Sequence, residues 1–315
     1  MREPASVLLG SLLAFTVAVA MIRAVVPFSA PYPSETVFSD PSLSVPADAA
    51  HDSQRRAGEL VTEWLAESYP ERIQRRELRD EGWALRLADR WFYWADGRLL
   101  PEEKLEHVDE YSGIRFYDYR LGEHELPEFD EELVALLREH YGNGGGSGDR
   151  VSSGRHPAFY EALYGFENRL AADRGMQRMT FLNVPVRVHP MVVHPLSEVE
   201  AEIRSRMESD PEVASFVRDI VSVSGFYWRD ILGSASRSYH AYGTAVDLLP
   251  RRYVGGFGYW RWAAQAGIEE WWSLPLSRRH SVPQPVIDAF ERHGFVWGGK
   301  WIGFDPIHFE YRPEV

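Results

Sequence analysis

Two histidines and two aspartates near the C-terminus have the types and the spacing to hold a metal ion and to move a proton. The first pair lies in S-Y-H-A-Y-G-T-A-V-D, Ser238 to Asp247, with His240 and Asp247 on either side of Gly243. On one uninterrupted helix these two side chains would share a face but stand roughly 10 Å apart along the axis. On one uninterrupted strand their odd offset would put them on opposite faces. A break at Gly243, a residue that takes positive φ without steric penalty, turns both onto one object. The third ligand comes from D-P-I-H-F-E, Asp305 to Glu310, as His308. Two imidazole nitrogens and a carboxylate oxygen are a set that zinc takes up in catalytic sites, which leave the fourth position to water. Asp305, next to Pro306, is placed to reach that water without ligating the ion, as a general base must. Arg229, in Y-W-R-D a short loop upstream, is a cation for the oxyanion that forms when a carbonyl is attacked.

The elements that must position these residues are legible around them. T-A-V-D-L-L reads as a strand, and the chain ends in the strand-like I-H-F-E-Y. Val184 to Val188 suits an edge strand, since its proline is tolerated only there. Ser197 with Glu200 forms a capping-box signature before Val199, Ile203 and Met207. Asp210-Pro211 opens a helix with the stripe Val213, Phe216, Val217 and Ile220, and Pro285 to His293 makes another, stopped by Gly294. Helices packed on a small, mostly antiparallel sheet make this region α+β. Further upstream, Ala57 to Tyr69 has near-helical apolar spacing. Trp83 to Leu87 and Trp91 to Trp94 read as strands, with Asp96-Gly97 as a turn. The acidic stretch Glu102 to Glu139 reads as a solvated face.

Composition narrows the function classes. With 44% hydrophobic residues in 315, the chain has ample material for a core. Its 34 basic and 47 acidic residues give a net charge of −13, which repels nucleic acid and anionic membrane surfaces. Cysteine is absent, which excludes disulfides, thiolate nucleophiles and cysteine-ligated zinc, so any metal is held by His, Asp or Glu. Arg2 followed by the apolar run Val7 to Ile22, with Ala18-Val19-Ala20, has the form of an export signal, either cleaved or kept as a membrane anchor. That places the rest in the periplasm or another extracytoplasmic space. The expected order is a signal or anchor over residues 1–30, a Pro- and Ser-rich tether over 31–55 and a mixed extension over 56–140. A Gly-rich linker over 141–155 and the site-bearing domain over 156–315 follow.

The run from Tyr227 to Asp247, followed by G-F-V-W-G-G-K-W-I-G-F-D-P-I-H-F-E-Y, resembles the peptidase M15 family of D-alanyl-D-alanine carboxypeptidases and related peptidoglycan peptidases. S-x-H-x-x-G-x-A-x-D, an acid three residues before a histidine in the last strand, and an arginine ahead of both are present in order. The resemblance is close over about Gly225 to Arg312 and looser back to Val184. It implies that His240, Asp247 and His308 bind Zn2+, that Asp305 is the base and that Arg229 polarises the scissile carbonyl. Ser238 takes a supporting role. The base is aspartate where some members carry glutamate, which places the chain nearer the endopeptidase and VanY-like branches. The activity implied is hydrolysis of an amide bond in peptidoglycan stem peptides by attack of zinc-bound water. The alternatives are a non-catalytic peptidoglycan-binding or structural zinc module, and a peptidase with a protein substrate docked on the acidic N-terminal unit.

Single features weigh less than that conjunction. Glu310, two residues after His308 on the same face, orients a ligand or serves a surface role. His189 and His194, in H-P-M-V-V-H-P, read as turns rather than a second metal site. Trp260, Trp262, Trp271 and Trp272 read as core, whereas Trp297 and Trp301, around Gly298-Gly299, read as cleft-lining. Arg237 reads as a solvated loop residue.

Overall fold

A computed structural model describes residues 47–80, 82–113, 119–122, 124–141, 154–231 and 234–315. The apolar run Val7 to Ile22, the tether up to residue 46 and the Gly-rich run over 142–153 lie outside the described residues.

The chain enters on α1 (Ala47–Ser68), so residues 47–55, expected as tether, are helical. After Pro46 that stretch is Ala-rich and free of proline and glycine as far as Gly58, which favours helix over coil. A four-stranded antiparallel meander follows, β1 (Ile73–Arg79), β2 (Gly82–Leu87), β3 (Arg90–Ala95) and β4 (Arg98–Pro101), in the order β1-β2-β3-β4. Asp96 and Gly97 take φ of 43° and 80° between β3 and β4, the positive-φ pair of a tight hairpin turn. The acidic stretch expected as a solvated face is so only in part: the Glu102–Glu110 3-10 segment buries none of its residues, whereas Tyr119, Leu133 and Leu137 further along it are buried.

Beyond it, α2 (Glu131–Tyr141), α3 (Pro157–Tyr164) and α4 (Arg169–Gly175) lead to a hairpin of β5 (Gln177–Phe181) and β6 (Val184–Val188). Pro185 sits in this two-stranded sheet, where one side of each strand is an edge. Next comes α5 (Pro190–Met207), capped by His189, whose ring accepts from the Met191 amide. Two expectations fail here. H-P-M-V-V-H-P is helical rather than turned, because Pro190 at the first helical position is preset for helix. Ser197 and Glu200 are inside that helix instead of at its start. Ser197 Oγ donates back to Val193 O at 2.9 Å, and Glu200 accepts from the Leu182 amide and from Arg204. His194 is exposed beside Glu198.

The remaining elements are α6 (Pro211–Asp219), β7 (Ile220–Ser224), α7 (Tyr239–Tyr242), β8 (Ala245–Pro250), α8 (Trp260–Gln265), α9 (Gln284–Arg292), β9 (Phe295–Trp297) and β10 (His308–Tyr311). Asp210 caps α6 as expected, and Gly294, at φ 80°, follows α9. The four strands form an antiparallel sheet in the order β7-β8-β10-β9, so the architecture is α+β.

Three apolar clusters hold these layers. One packs α5, α6 and α9 on the β7-β8-β10-β9 sheet through Leu196, Val213, Val217, Phe290 and Phe309. A second joins α1 and the N-terminal meander to α3 and to Tyr239, Tyr242 and Ala245, so residues on both sides of the Gly-rich run share one core. A third gathers Trp260, Trp271 and Trp272 with Leu133, Leu137, Tyr141 and Phe304, which accounts for three of the four clustered tryptophans as core, with Trp262 packed against them.

Burial also sets how this fold responds to acid. Desolvation, with Arg279 and Lys300 nearby, lowers His124 to about 4, and desolvation lowers His189 and His280 as well. With folded pKa values below the unfolded one, the unfolded chain binds more protons between pH 6.5 and 4, so stability present above pH 6.5 is lost as pH falls through that window. For His124 the loss approaches about 3 kcal/mol. Urea midpoints should therefore fall from pH 6.5 to 4, with a shallower slope in His124→Gln; identical slopes in the two proteins would refute the assignment.

Candidate metal centre

The centre begins with strand register. Asp247 in β8 lies directly opposite His308 in β10, and opposite Ser224 in β7 on the other side. Directly opposed residues of an antiparallel pair share a face, with Cβ atoms about 4.5–5.5 Å apart. His240 arrives from α7, which is only four residues long. Ser238 caps its start by accepting from the His240 amide at 3.3 Å, and Gly243, at φ 70°, ends it in the left-handed region. Extended chain resumes at Ala245, so the helix presents His240 towards the strand that carries Asp247.

Three donor atoms converge there. His308 Nδ1 and Asp247 Oδ1 are 2.8 Å apart, His240 Nε2 and Asp247 Oδ1 3.1 Å, and the two nitrogens 3.2 Å. A tetrahedron with zinc–ligand bonds of about 2.0–2.1 Å has edges of about 3.4 Å, close to these separations. All three residues are buried, at 2–3% exposure. Their outer atoms are tied down as well. His240 Nδ1 meets Gly225 O at 2.7 Å, and because a carbonyl only accepts, Nδ1 carries the hydrogen and Nε2 is left as donor to a cation. His308 Nε2 meets Glu310 Oε2 at 3.3 Å, which leaves Nδ1 facing the same point. The donor set therefore fits a small divalent cation. Among the described residues this is the group of histidine and carboxylate side chains that could hold a metal.

The electrostatics agree. Burial would raise the Asp247 carboxyl, but His240 and His308 hold it below the ordinary carboxylate range. Burial would lower His308, yet Asp247 and Glu310 bring it up to about 10. Two carboxylates thus demand positive charge at this ring, a demand that a proton or a metal ion on Nδ1 can meet.

Asp305 is fully buried, and burial raises its carboxyl to about 8, with His308 and Arg229 opposing and Asp247 reinforcing the rise. Neither of its carboxylate oxygens has a hydrogen-bond partner of ordinary geometry, although the Ile307 amide acts on the group. Arg229 is half-buried and within electrostatic reach of both Asp247 and Asp305. Of the five residues singled out in the sequence, His240, Asp247 and His308 therefore converge, and Asp305 and Arg229 lie within electrostatic reach of them.

The supporting residues differ more from expectation. Ser238 caps the helix that carries His240. Trp297 is buried; its indole N–H donates to Pro306 O at 2.7 Å and its ring fills the space beside Gly299, bracing the loop that carries Asp305. Trp301 is buried too, its ring centroid 5.4 Å from that of His308. Glu310 has the orienting role and not the surface one. Arg237 is partly buried, paired with Asp230 and stacked over Trp228 at 4.2 Å. Tyr253 and Tyr259 are additions, their phenols raised chiefly by burial and further by the nearby Asp305. No spacing rule flags them, because the loop between β8 and α8 brings them in.

The antiparallel sheet thus presents a buried His-Asp-His cluster that could hold a metal ion, with a carboxyl and an arginine within electrostatic reach. Residues 232–311, which hold the three cluster residues and Asp305, match the peptidase M15 family model described as D-alanyl-D-alanine carboxypeptidase. A second model, a domain of unknown function, matches residues 61–116. Neither the curated proteins nor the solved structures gave a significant match to the chain.

Gly243 is the backbone device on which the cluster depends. A Cβ there would lie 2.7 Å from the His189 backbone nitrogen and 2.4 Å from Met176 Sδ, in addition to the cost of positive φ. That cost is about 1–2 kcal/mol for a non-glycine residue. Gly243→Ala should lower the free energy of unfolding by ~2 kcal/mol or more. Denaturation indistinguishable from wild type would show that the turn does not need glycine.

Proposed function

We propose that the protein is a zinc-dependent peptidase that hydrolyses an amide bond in peptidoglycan stem peptides, as a D,D-carboxypeptidase or related endopeptidase. The observation that carries this reading is the convergence of His240, Asp247 and His308 beside Asp305 and Arg229. A zinc ion held by those three donors supplies a Lewis acid that polarises a carbonyl and makes water more acidic. Asp305 takes the proton from the attacking water and returns it to the leaving amine, and burial, which raises its carboxyl, helps it hold the proton between the two transfers. Arg229 stabilises the oxyanion, and being half-buried where the other members are buried, it marks the side from which substrate approaches.

The family match supports the peptidase chemistry, and the stem-peptide substrate follows from the resemblance to cell-wall peptidases. A pure binding module needs neither a buried base nor an arginine at the cluster, which favours the enzyme. Export, by a cleaved signal or an uncleaved anchor at Val7 to Ile22, is proposed from the sequence of that run. Among the described residues no helix is long and apolar enough to cross a membrane.

The test combines elemental analysis with mass spectrometry of purified stem peptides. The expected result is one zinc per chain and a defined mass loss. Zinc at 100 times its dissociation constant should stabilise the fold by about 2.7 kcal/mol, an increment absent from His308→Ala. Asp305→Ala should retain zinc and lose roughly 10²- to 10⁴-fold in rate. Cleavage by Asp305→Ala at the wild-type rate would remove Asp305 as the base.

A further inference from the structure

The last strand does not stop being organised at the ligand. His308 and Glu310 lie in β10, where their spacing by two puts them on one face of the strand, while Arg312 follows the strand and Glu314 sits in the turn after it. They form one connected row. His308 Nε2 meets Glu310 Oε2 at 3.3 Å, Arg312 Nη1 donates to Glu310 Oε1 at 3.3 Å, and Arg312 Nε donates to Glu314 Oε1. The row ends on the other side of the molecule's sequence, where Tyr69 Oη donates to Glu314 Oε2 at 2.8 Å. The side chains of His308, Glu310, Arg312 and Glu314 are 4%, 3%, 1% and 5% exposed, and Tyr69 is 3% exposed.

Each carboxylate in this row gives one oxygen to Arg312 and the other to a terminal partner, His308 at one end and Tyr69 at the other. One guanidinium is thus shared between two buried carboxylates, and its position depends on how well each is otherwise satisfied. The Tyr69 hydroxyl satisfies Glu314. Without it, a buried carboxylate oxygen loses its partner and draws Arg312 towards Glu314, away from Glu310. Glu310 is the group that orients His308 and decides which ring nitrogen faces the metal. Arg312 also lies over the ring of Tyr239, in the helix that bears His240, with the guanidinium carbon 5.3 Å from the centroid.

We infer that Tyr69 is a positioning residue for the metal ligand His308, acting through Glu314, Arg312 and Glu310, and that the N-terminal segment is therefore part of the support of the metal centre. This rests on the zinc reading above. It assigns a role to a segment that otherwise matches only a domain of unknown function, since Tyr69 falls within residues 61–116.

The test uses the full chain and zinc alone, with dissociation constants measured by chelator competition. Tyr69→Phe keeps the buried ring and deletes only the hydroxyl. It should weaken zinc binding roughly threefold to tenfold, less than the 10- to 100-fold typical for a direct partner of a ligand. Glu314→Gln should act in the same direction, which guards against a poorly folding variant. Both effects should vanish in a Glu310→Gln background, where the row is already cut next to His308. A merely structural role for Tyr69 would lower the melting temperature of the zinc-free protein and leave the dissociation constant alone. Equal zinc affinity in wild type, Tyr69→Phe and Glu314→Gln would overturn the inference, as would effects of equal size in both backgrounds. Failure of the wild type to bind zinc would overturn the zinc reading itself and this inference with it.

Discussion

A carboxylate buried as deeply as that of Asp247 must be met by positive charge, because an uncompensated buried ion costs several kcal/mol. The surrounding structure is arranged to meet it. Asp247 occupies an inner strand, β8, with hydrogen-bonded neighbours on both sides. One neighbour places His308 opposite it by register, and the carbonyl of Gly225, just past the other, fixes the ring of His240. Two of the three cluster residues are thus set by the sheet and the third by α7 beside it, and the helices that pack behind the sheet keep its strands in that register.

The same demand explains why the outer partners are as buried as the ligands. A partner on one ring nitrogen of a histidine fixes the tautomer and the ring orientation, and so which nitrogen offers its lone pair to a cation. Gly225 does this for His240 and Glu310 for His308, and Glu310 in turn is held by Arg312. Asp305 stands apart, a buried carboxyl beside the cluster with no partner of ordinary hydrogen-bond geometry. The two carboxyls of the centre are displaced in opposite directions: Asp247 is held low by its histidines and Asp305 is pushed high by burial.

The N-terminal meander is bound to this centre by packing as well as by polar contacts. Tyr239 and Tyr242, on either side of the ligand-bearing turn, belong to the same apolar cluster as Val61, Leu65 and Phe92. Arg155 ties Tyr239 and the carbonyl of Arg237 to the start of α3. A separate strap, residues 119–122, is fastened by Glu291 and Lys300 next to Trp297, which braces the loop ahead of His308.

What the sequence determined by itself was local or strictly ordered. His240, Asp247 and His308 were legible because, with Asp305 and Arg229, they fall in order in a pattern that resembles a known family, and Gly243 because a turn between helix and strand needs positive φ. The strands around Asp247 and His308, the caps at Asp210 and Gly294 and the α+β class follow from short-range patterns. Ser197-Glu200 misled because a capping-box pattern says nothing about a helix that has already begun at Pro190. H-P-M-V-V-H-P misled because proline stops a helix in its interior but starts one at its first turn. Trp297 reads as cleft-lining from the glycine pair beside it, and no pattern in the sequence records that its ring packs on Gly299. Only the tertiary structure could bring Tyr69 to Glu314, Arg155 to Tyr239 or Tyr259 towards Asp305. Those contacts span long stretches of chain, and no periodicity records which distant side chain will satisfy a buried charge.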